Sequence, residues 1–229
     1  MAVTLIAEFG SSPAPEWNLR AWLEVAQWCG ADAAKVQLFL QGHFPVEERD
    51  AKRALEFPRR RWADFVQLAH EYRLLAGASV FDREALHMVS ACGDFIKVAS
   101  REEKNSNLLD YIAAHNPKCL PIYRSVSDPR MLRYGGAYGL GDVVLATVPR
   151  YPVPLARALL AVLNAAHEFR EMKRAWGWSS HTTGWLDCWL AARLGAQVIE
   201  KHLALNRDDR EAGHSLLPDQ FRQLKERIT

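Results

Sequence analysis

GDVVLATVPRYPVPLARALLAVLNAAHEFREMKRAWGWSSHTTGWLDCWLAARLGAQVIEKH, residues 141–202, holds three short apolar runs separated by two segments whose apolar residues recur at helical spacing. GDVVLATV precedes a helix predicted near 155–172, GWSS precedes one near 184–194, and AQVIEKH closes the stretch. Parallel neighbouring strands need a crossover of about a dozen residues, usually a helix, so this alternation predicts consecutive βαβ units.

The same alternation extends to both sides. VTLIAE (3–8) leads to a helix near 16–29. AAKVQLF (33–39) leads to a polar excursion at 41–58 and a helix near 60–72, and LLAGASV (74–80) to a helix from about 83 to 91. DFIKVAS (94–100), a helix near 105–115 and KCLPIY (118–123) continue it, and a last helix starts at about 218. Eight strand candidates favour a closed parallel barrel, a compact (β/α)8 TIM barrel, over an open doubly wound α/β sheet. The link after the fifth strand, SDPRMLRYGGAYGLG, leaves the helix between strands 5 and 6 shortened or missing. Neither a repeat nor a linker divides the chain, so residues 1–229 read as one domain.

With 49% apolar and 24% charged residues in 229, the chain can bury a sizeable core. Its 29 basic and 27 acidic residues leave no global excess to attract nucleic acid or a membrane surface, so any anion site must be local. The start lacks a basic n-region, and no apolar stretch approaches the roughly 18 residues of a membrane span; a cytoplasmic protein is expected. Cys29, Cys92, Cys119 and Cys188 lie far apart without a CxxC and read as buried thiols. PRRRWADF (58–65) reads as a solvated helix face, and Trp22 and Trp28 as packing or dimer residues.

In such a barrel, functional groups gather at the C-terminal ends of the strands. Glu8 ends the first strand. Strand side chains alternate with period two, which puts Lys35 with Gln37, Ser179 with His181 and Glu200 with His202 on shared faces. Lys97 and Ser100 close the fourth strand, with Glu102 just beyond. A lysine in an apolar strand is costly unless an anion meets it. Lys35 and Lys97, together with Ser79, Ser100 and Ser179, therefore suggest a bound anionic substrate, the alternative being salt bridges to Glu8 or Glu200. His181 and His202 end adjacent strands, close enough to share a divalent ion.

The ordered motifs IAEFG, AKVQLF, SVFD, KVASRE, RYPVP, GWSSHTTG and VIEKHLAL, followed by SLLPDQF, resemble the sialic acid (N-acetylneuraminate) synthase family over most of the chain. The resemblance implies a barrel that condenses phosphoenolpyruvate with an aldehyde sugar, releases phosphate and yields a 2-keto-3-deoxy acid with a divalent ion, typically manganese, with magnesium or cobalt as alternatives. It also implies that Lys35, Lys97, Ser79, Ser100 and Ser179 hold the donor's phosphate and carboxylate, and that His181 and His202 carry the metal. Glu8, Glu102 and Glu200 are then the candidates for proton transfer or for positioning the attacking water, while Gln37 and Tyr151 face the acceptor.

The chain also departs from the family pattern. IYRSVS replaces a serine-threonine-glycine stretch after strand five, and Pro149 or Arg150 stands where the family has an asparagine. Arg124 reads either as a forked oxyanion donor replacing a lost contact or as a solvent-facing side chain. DDREAGHS is shorter than its family counterpart, with Gly213 and His214 at the place of an Asp-His pair. The C-terminal antifreeze-like domain of full-length synthases has no counterpart in residues 1–229, so a homodimer partner or a separate protein would complete the acceptor pocket, or else the acceptor differs. The rival reading is a catalytically degenerate barrel that binds an anionic metabolite or a protein partner.

Overall fold

The structure, a computed structural model, describes residues 2–10, 18–53, 55–116, 120–134 and 141–229. Eight parallel strands close in sequence order: β1 (Thr4–Glu8), β2 (Ala33–Leu38), β3 (Leu75–Val80), β4 (Phe95–Val98), β5 (Ile122–Val126), β6 (Val143–Thr147), β7 (Trp176–Ser180) and β8 (Val198–His202). The β1–β8 pairing seals the barrel, with Glu8 opposite His202. Around it lie α1 (Leu19–Trp28), α2 (Arg49–Arg53), α3 (Trp62–Glu71), α4 (Arg83–Cys92), α5 (Ser106–Ala114), α6 (Leu155–Glu171), α7 (Leu186–Arg193) and α8 (Pro218–Ile228). Between β5 and β6 the described residues hold only a 3₁₀ turn, Pro129–Tyr134, as the short link predicted.

Local chemistry sets the helix starts. Asn18, Asp82 and Asn105 precede α1, α4 and α5, and their side chains accept from the N–H of Ala21, Ala85 and Leu108, satisfying donors that a helix start leaves orphaned. Proline opens α8, where its missing N–H costs nothing. The polar excursion after β2 is more structured than its composition suggests. It holds two 3₁₀ turns and α2, and Phe44 from this segment packs on Phe39 and Phe81.

Strand five departs from the expected KCLPIY. Residues 117–119, and with them Cys119, lie outside the described residues, and the strand begins only after Pro121, which has no N–H to give a ladder. Of the other cysteines, Cys29 and Cys188 are buried as expected, whereas Cys92 is exposed at the end of α4. Arg59 is also no solvated residue. Its guanidinium donates to Asp82, Glu84 and the Leu38 carbonyl, tying the end of β2 to the start of α4. Trp22 is buried in the helix layer, while Trp28 is half exposed beneath the Arg222 guanidinium.

Side chains inside the barrel fall into two levels. The lower level is an apolar plug of Ile6, Ala33, Phe95, Leu145 and Val198. Gly77 belongs to it by necessity: a Cβ there would stand 2.2 Å from the Phe95 ring. One step along each strand the interior turns polar, with Glu8, Lys35, Ser79, Lys97, Ser125, Thr147, Ser179, Glu200 and His202 all buried. At the N-terminal rim a staple recurs. Asp32, Asp94 and Asp142, each just before an even-numbered strand, accept at 2.7 Å from the N–H of Leu5, Ala76 and Ile122 in the preceding odd-numbered strand or at its edge. The same three aspartates return their own N–H to those residues' carbonyls.

Candidate active site

The polar level opens at the C-terminal mouth into a cavity of ≈ 730 Å³, lined among others by Glu8, Lys35, Gln37, Ser79, Lys97, Ser100, Tyr151, Ser179, His181, Glu200 and His202. Eleven of the thirteen residues singled out from sequence are thus brought together. Period-two alternation does this, because the register aligns Gln37 with Ser79, Ser79 with Lys97, and Ser179 with Glu200.

At the floor, two buried ammonium groups converge on carboxylates. Lys35 contacts Glu8 and donates to Ser79 Oγ at 2.8 Å, and its Nζ lies 3.9 Å from Glu200 Oε2. Lys97 lies 3.5 Å from the same Glu200 oxygen and donates to Ser125 Oγ at 2.7 Å. The salt bridges weighed against an anion site are therefore present. Ser179 donates to Glu200 Oε1 at 2.9 Å, and Gln37 to Glu8 Oε1 at 3.1 Å. Burial alone would raise the Glu200 carboxyl, but Lys35 and Lys97 outweigh it and hold the group at about 2. Burial lowers Lys35 too, yet Glu200 and Glu8 leave it net raised, whereas Lys97 stays below its ordinary value because burial wins there.

Two expected residues lie elsewhere. Arg124 is neither a donor in the cavity nor solvent-facing. It is buried at mid-strand, facing away from the lumen by alternation with Ser125, and donates to the Glu103 carbonyl at 2.6 Å. Glu102 ends a 3₁₀ turn and accepts from Asn105 Nδ2; Glu103, its neighbour, lines the cavity instead. The structure adds Ser125, Glu211 and His214, as well as Lys52, Arg101, Lys104 and Arg210 near the mouth. Among the described residues none of these four cations makes an ion pair. The lining holds six Lys or Arg against four Glu, a local positive excess on a nearly neutral chain. Of the added residues two had a signal: Ser125, by its parity once β5 is placed at 122–126, and His214, by its place in the family's pattern.

Three imidazoles meet at the β7–β8 side of the mouth. The His181 and His202 ring centroids are 5.5 Å apart, His202 and His214 4.7 Å, and Tyr151 lies 4.1 Å from His181. Burial, and then His202, push His181 down to about 3, so its ring is neutral at physiological pH. His202 Nδ1 lies 2.8 Å from Glu211 Oε2, with His214 Nε2 at 3.7 Å from the same oxygen. His202, Glu211 and His214 each offer a ligand atom, and all three atoms lie within 4.8 Å of one another. Imidazoles beside a carboxylate suit a first-row divalent ion. Behind them the buried Lys201 donates to Ser180 Oγ and to the Thr182 and His214 carbonyls at 3.1, 2.5 and 3.3 Å, joining the two histidine-bearing loops.

A family model described as the NeuB family matches residues 22–122 and 135–229. N-acetylneuraminate-9-phosphate synthase of Drosophila melanogaster is 28% identical over 192 residues, 78% of this chain and 50% of that protein. The spore coat polysaccharide biosynthesis protein SpsE of Bacillus subtilis superposes with a TM-score of 0.77 at 26% identity, covering 99% of this chain and 67% of that one. The N-acetylneuraminic acid synthetase of Leptospira borgpetersenii, solved with citrate, has a TM-score of 0.89 at 23% identity over 100% of this chain and 83% of that one, a likeness of fold. The chain spans between 50% and 63% of the length of the curated relatives it matches. No helix among the described residues is long and apolar enough to cross a membrane.

Proposed function

The chain belongs to the NeuB family, and from that premise we propose that it is an enzyme joining C3 of phosphoenolpyruvate to the carbonyl carbon of an aldehyde sugar. One water is consumed, inorganic phosphate leaves, and the product is a 2-keto-3-deoxy acid. The observation that carries this reading is the buried Lys35–Glu200–Lys97 floor beneath a cavity with an excess of cations.

Lys35 and Lys97, with Ser79, Ser100, Ser125 and Ser179, supply donors for the phosphate and carboxylate oxygens of the donor substrate. Glu8 and Glu200 offer carboxylates within the same cavity. Glu200 is ionised throughout the working pH range and suits the orientation of water or of a sugar hydroxyl better than proton donation. Gln37 and Tyr151 stand on the mouth side, where the acceptor would enter. A divalent ion ligated through His202, which the sequence pairs with His181, would polarise the aldehyde oxygen or lower the pKa of the water. The experiment is phosphate release from phosphoenolpyruvate, with manganese added, against a panel of aldoses and short aldehydes. Release dependent on one aldehyde supports the reading, and none with any of them overturns it.

A binding-only barrel is favoured by one observation, the seating of Glu102 on Asn105 outside the cavity lining. Phosphoenolpyruvate binding without turnover on the same panel would select it.

A further inference from the structure

The aspartate staples of the N-terminal rim leave one strand pair out. Before β2, β4 and β6 an aspartate donates its own N–H to a residue of the preceding strand and accepts that residue's N–H on its carboxylate at 2.7 Å. Before β8 the same place is taken by Gln197, whose N–H donates to the Trp176 carbonyl at 2.8 Å. Its side chain accepts nothing in return. On a strand the N–H and C=O of one residue point the same way, so the Trp176 N–H is also turned toward β8 and away from the ladder with β6. Trp176 is buried, yet among the described residues no group accepts this N–H. A buried backbone donor is ordinarily paired, and in the three equivalent places a carboxylate oxygen does it.

A cavity of ≈ 450 Å³ opens at this spot, within the size range of small-molecule sites. Its walls include Trp176 and Gln197 and, from the end of α6 and the turn after it, Phe169, Arg170, Lys173 and Arg174. The lining holds three cations and no Asp or Glu. Arg170 and Lys173 make no ion pair among the described residues, and Arg174 is fixed by donating to the Gly141 carbonyl at 2.6 Å. The Phe169 and Trp176 rings, stacked 5.8 Å apart at 12°, supply an apolar wall. We propose that this cavity binds a small carboxylate with an aromatic or apolar body. One carboxylate oxygen accepts the Trp176 N–H, as the aspartates do in the other three pairs, while Arg170 and Lys173 balance the charge. The ligand thus completes the fourth staple. The site lies at the opposite end of the barrel from the mouth, and it stands independently of the reaction proposed above.

The test is titration of sodium benzoate into the ¹⁵N-labelled full chain, followed by the amide resonances, with benzamide as the neutral counterpart. Benzoate should give a saturable shift of the Trp176 amide and slow its hydrogen exchange; benzamide should do neither. Gln197→Asp supplies the missing carboxylate from within. It should weaken benzoate binding about tenfold or more, through occupation of the N–H and like-charge repulsion, and raise the melting temperature of the unliganded chain. Arg170→Gln with Lys173→Gln should weaken binding about fivefold with the melting curve unchanged, and this double variant decides the matter if Gln197→Asp does not fold. No benzoate shift at Trp176, an equal shift with benzamide, or undiminished binding in the variants would each overturn the site and leave the two cations serving only the C-terminal dipole of α6. Inorganic phosphate binding as tightly as benzoate would overturn the assignment to a carboxylate with an apolar body.

Discussion

Glu200 is held ionised by Lys35 and Lys97 against its own burial, and that arrangement has a sign that pH reveals. Its folded-state value of about 2 lies below its ordinary 4.5, so it contributes stability above about 4.5 that is lost as the pH falls toward 2. His181, lowered by burial from 6.5 to about 3, acts in the same direction over the window between those values. With a chelator present, the urea midpoint should fall progressively below pH 6.5, and His181→Gln should flatten the upper part of that limb; an unchanged limb in the variant would remove His181 from the account. Lys97→Ala should weaken phosphoenolpyruvate binding by about 2–4 kcal/mol, the cost of stripping a partner from a buried charge-assisted contact. Calorimetry checks it, with Arg59→Ala as the comparison expected to leave binding unchanged. Strand periodicity made part of the floor legible in sequence, because it puts Lys35 with Gln37 and Glu200 with His202 on shared faces, while Glu8 and Ser79 were reached by their places at strand ends and by their chemistry. It could not separate Glu102 from Glu103, which sit in and beside a 3₁₀ turn, nor find Glu211 in a loop with no period, where the resemblance alone had pointed to His214.

At the scale of elements, βα alternation was read nearly everywhere, and the exceptions have local causes. Pro121 delays the start of β5 beyond the apolar run that suggested it, and alternation within Ile122–Val126 then puts Ser125 in the lumen and Arg124 on the other face. Polar composition hid α2, a short helix whose Lys52 sits over the Phe44 ring. At the junction of β2 and α4, burial would raise the Asp82 carboxyl, yet hydrogen bonds with His43 and Arg59 leave it well below the ordinary carboxylate range. Asp82→Ala removes the cap and those partners together and should cost about 2 kcal/mol in a thermal melt, the upper part of the range for caps. Inside the barrel, Gly77→Ala drives a methyl into Phe95. The expected loss is about 1–3 kcal/mol with donor binding retained, because the plug lies below the site; a neutral melt would show that the ring moves aside at no cost.

For the molecule as a whole, the N-terminal rim and the mouth are built differently. The rim is latched by backbone and carboxylate bonds between residues at the starts of the strands, while the mouth is a set of loops closed by their own hydrogen bonds. Amide hydrogen exchange should therefore be slow at Leu5, Ala76 and Ile122 and faster across residues 206–214. Comparable rates in the two regions would contradict the division.

The aspartate staples carry a further consequence. Asp32, Asp94 and Asp142 each join an odd strand to the even strand after it, so the smallest self-fastened part of this barrel is a quarter turn, and only the fourth quarter, where Gln197 replaces the aspartate and donates its N–H to the Trp176 carbonyl, lacks the carboxylate. That quarter carries β7, β8, His181 and His202. The quarter beneath the loop that follows β8 is thus held at its base by backbone bonds alone, and that loop meets the first quarter where Gly10 faces Glu211 and the Leu203 N–H donates to the Glu8 carbonyl.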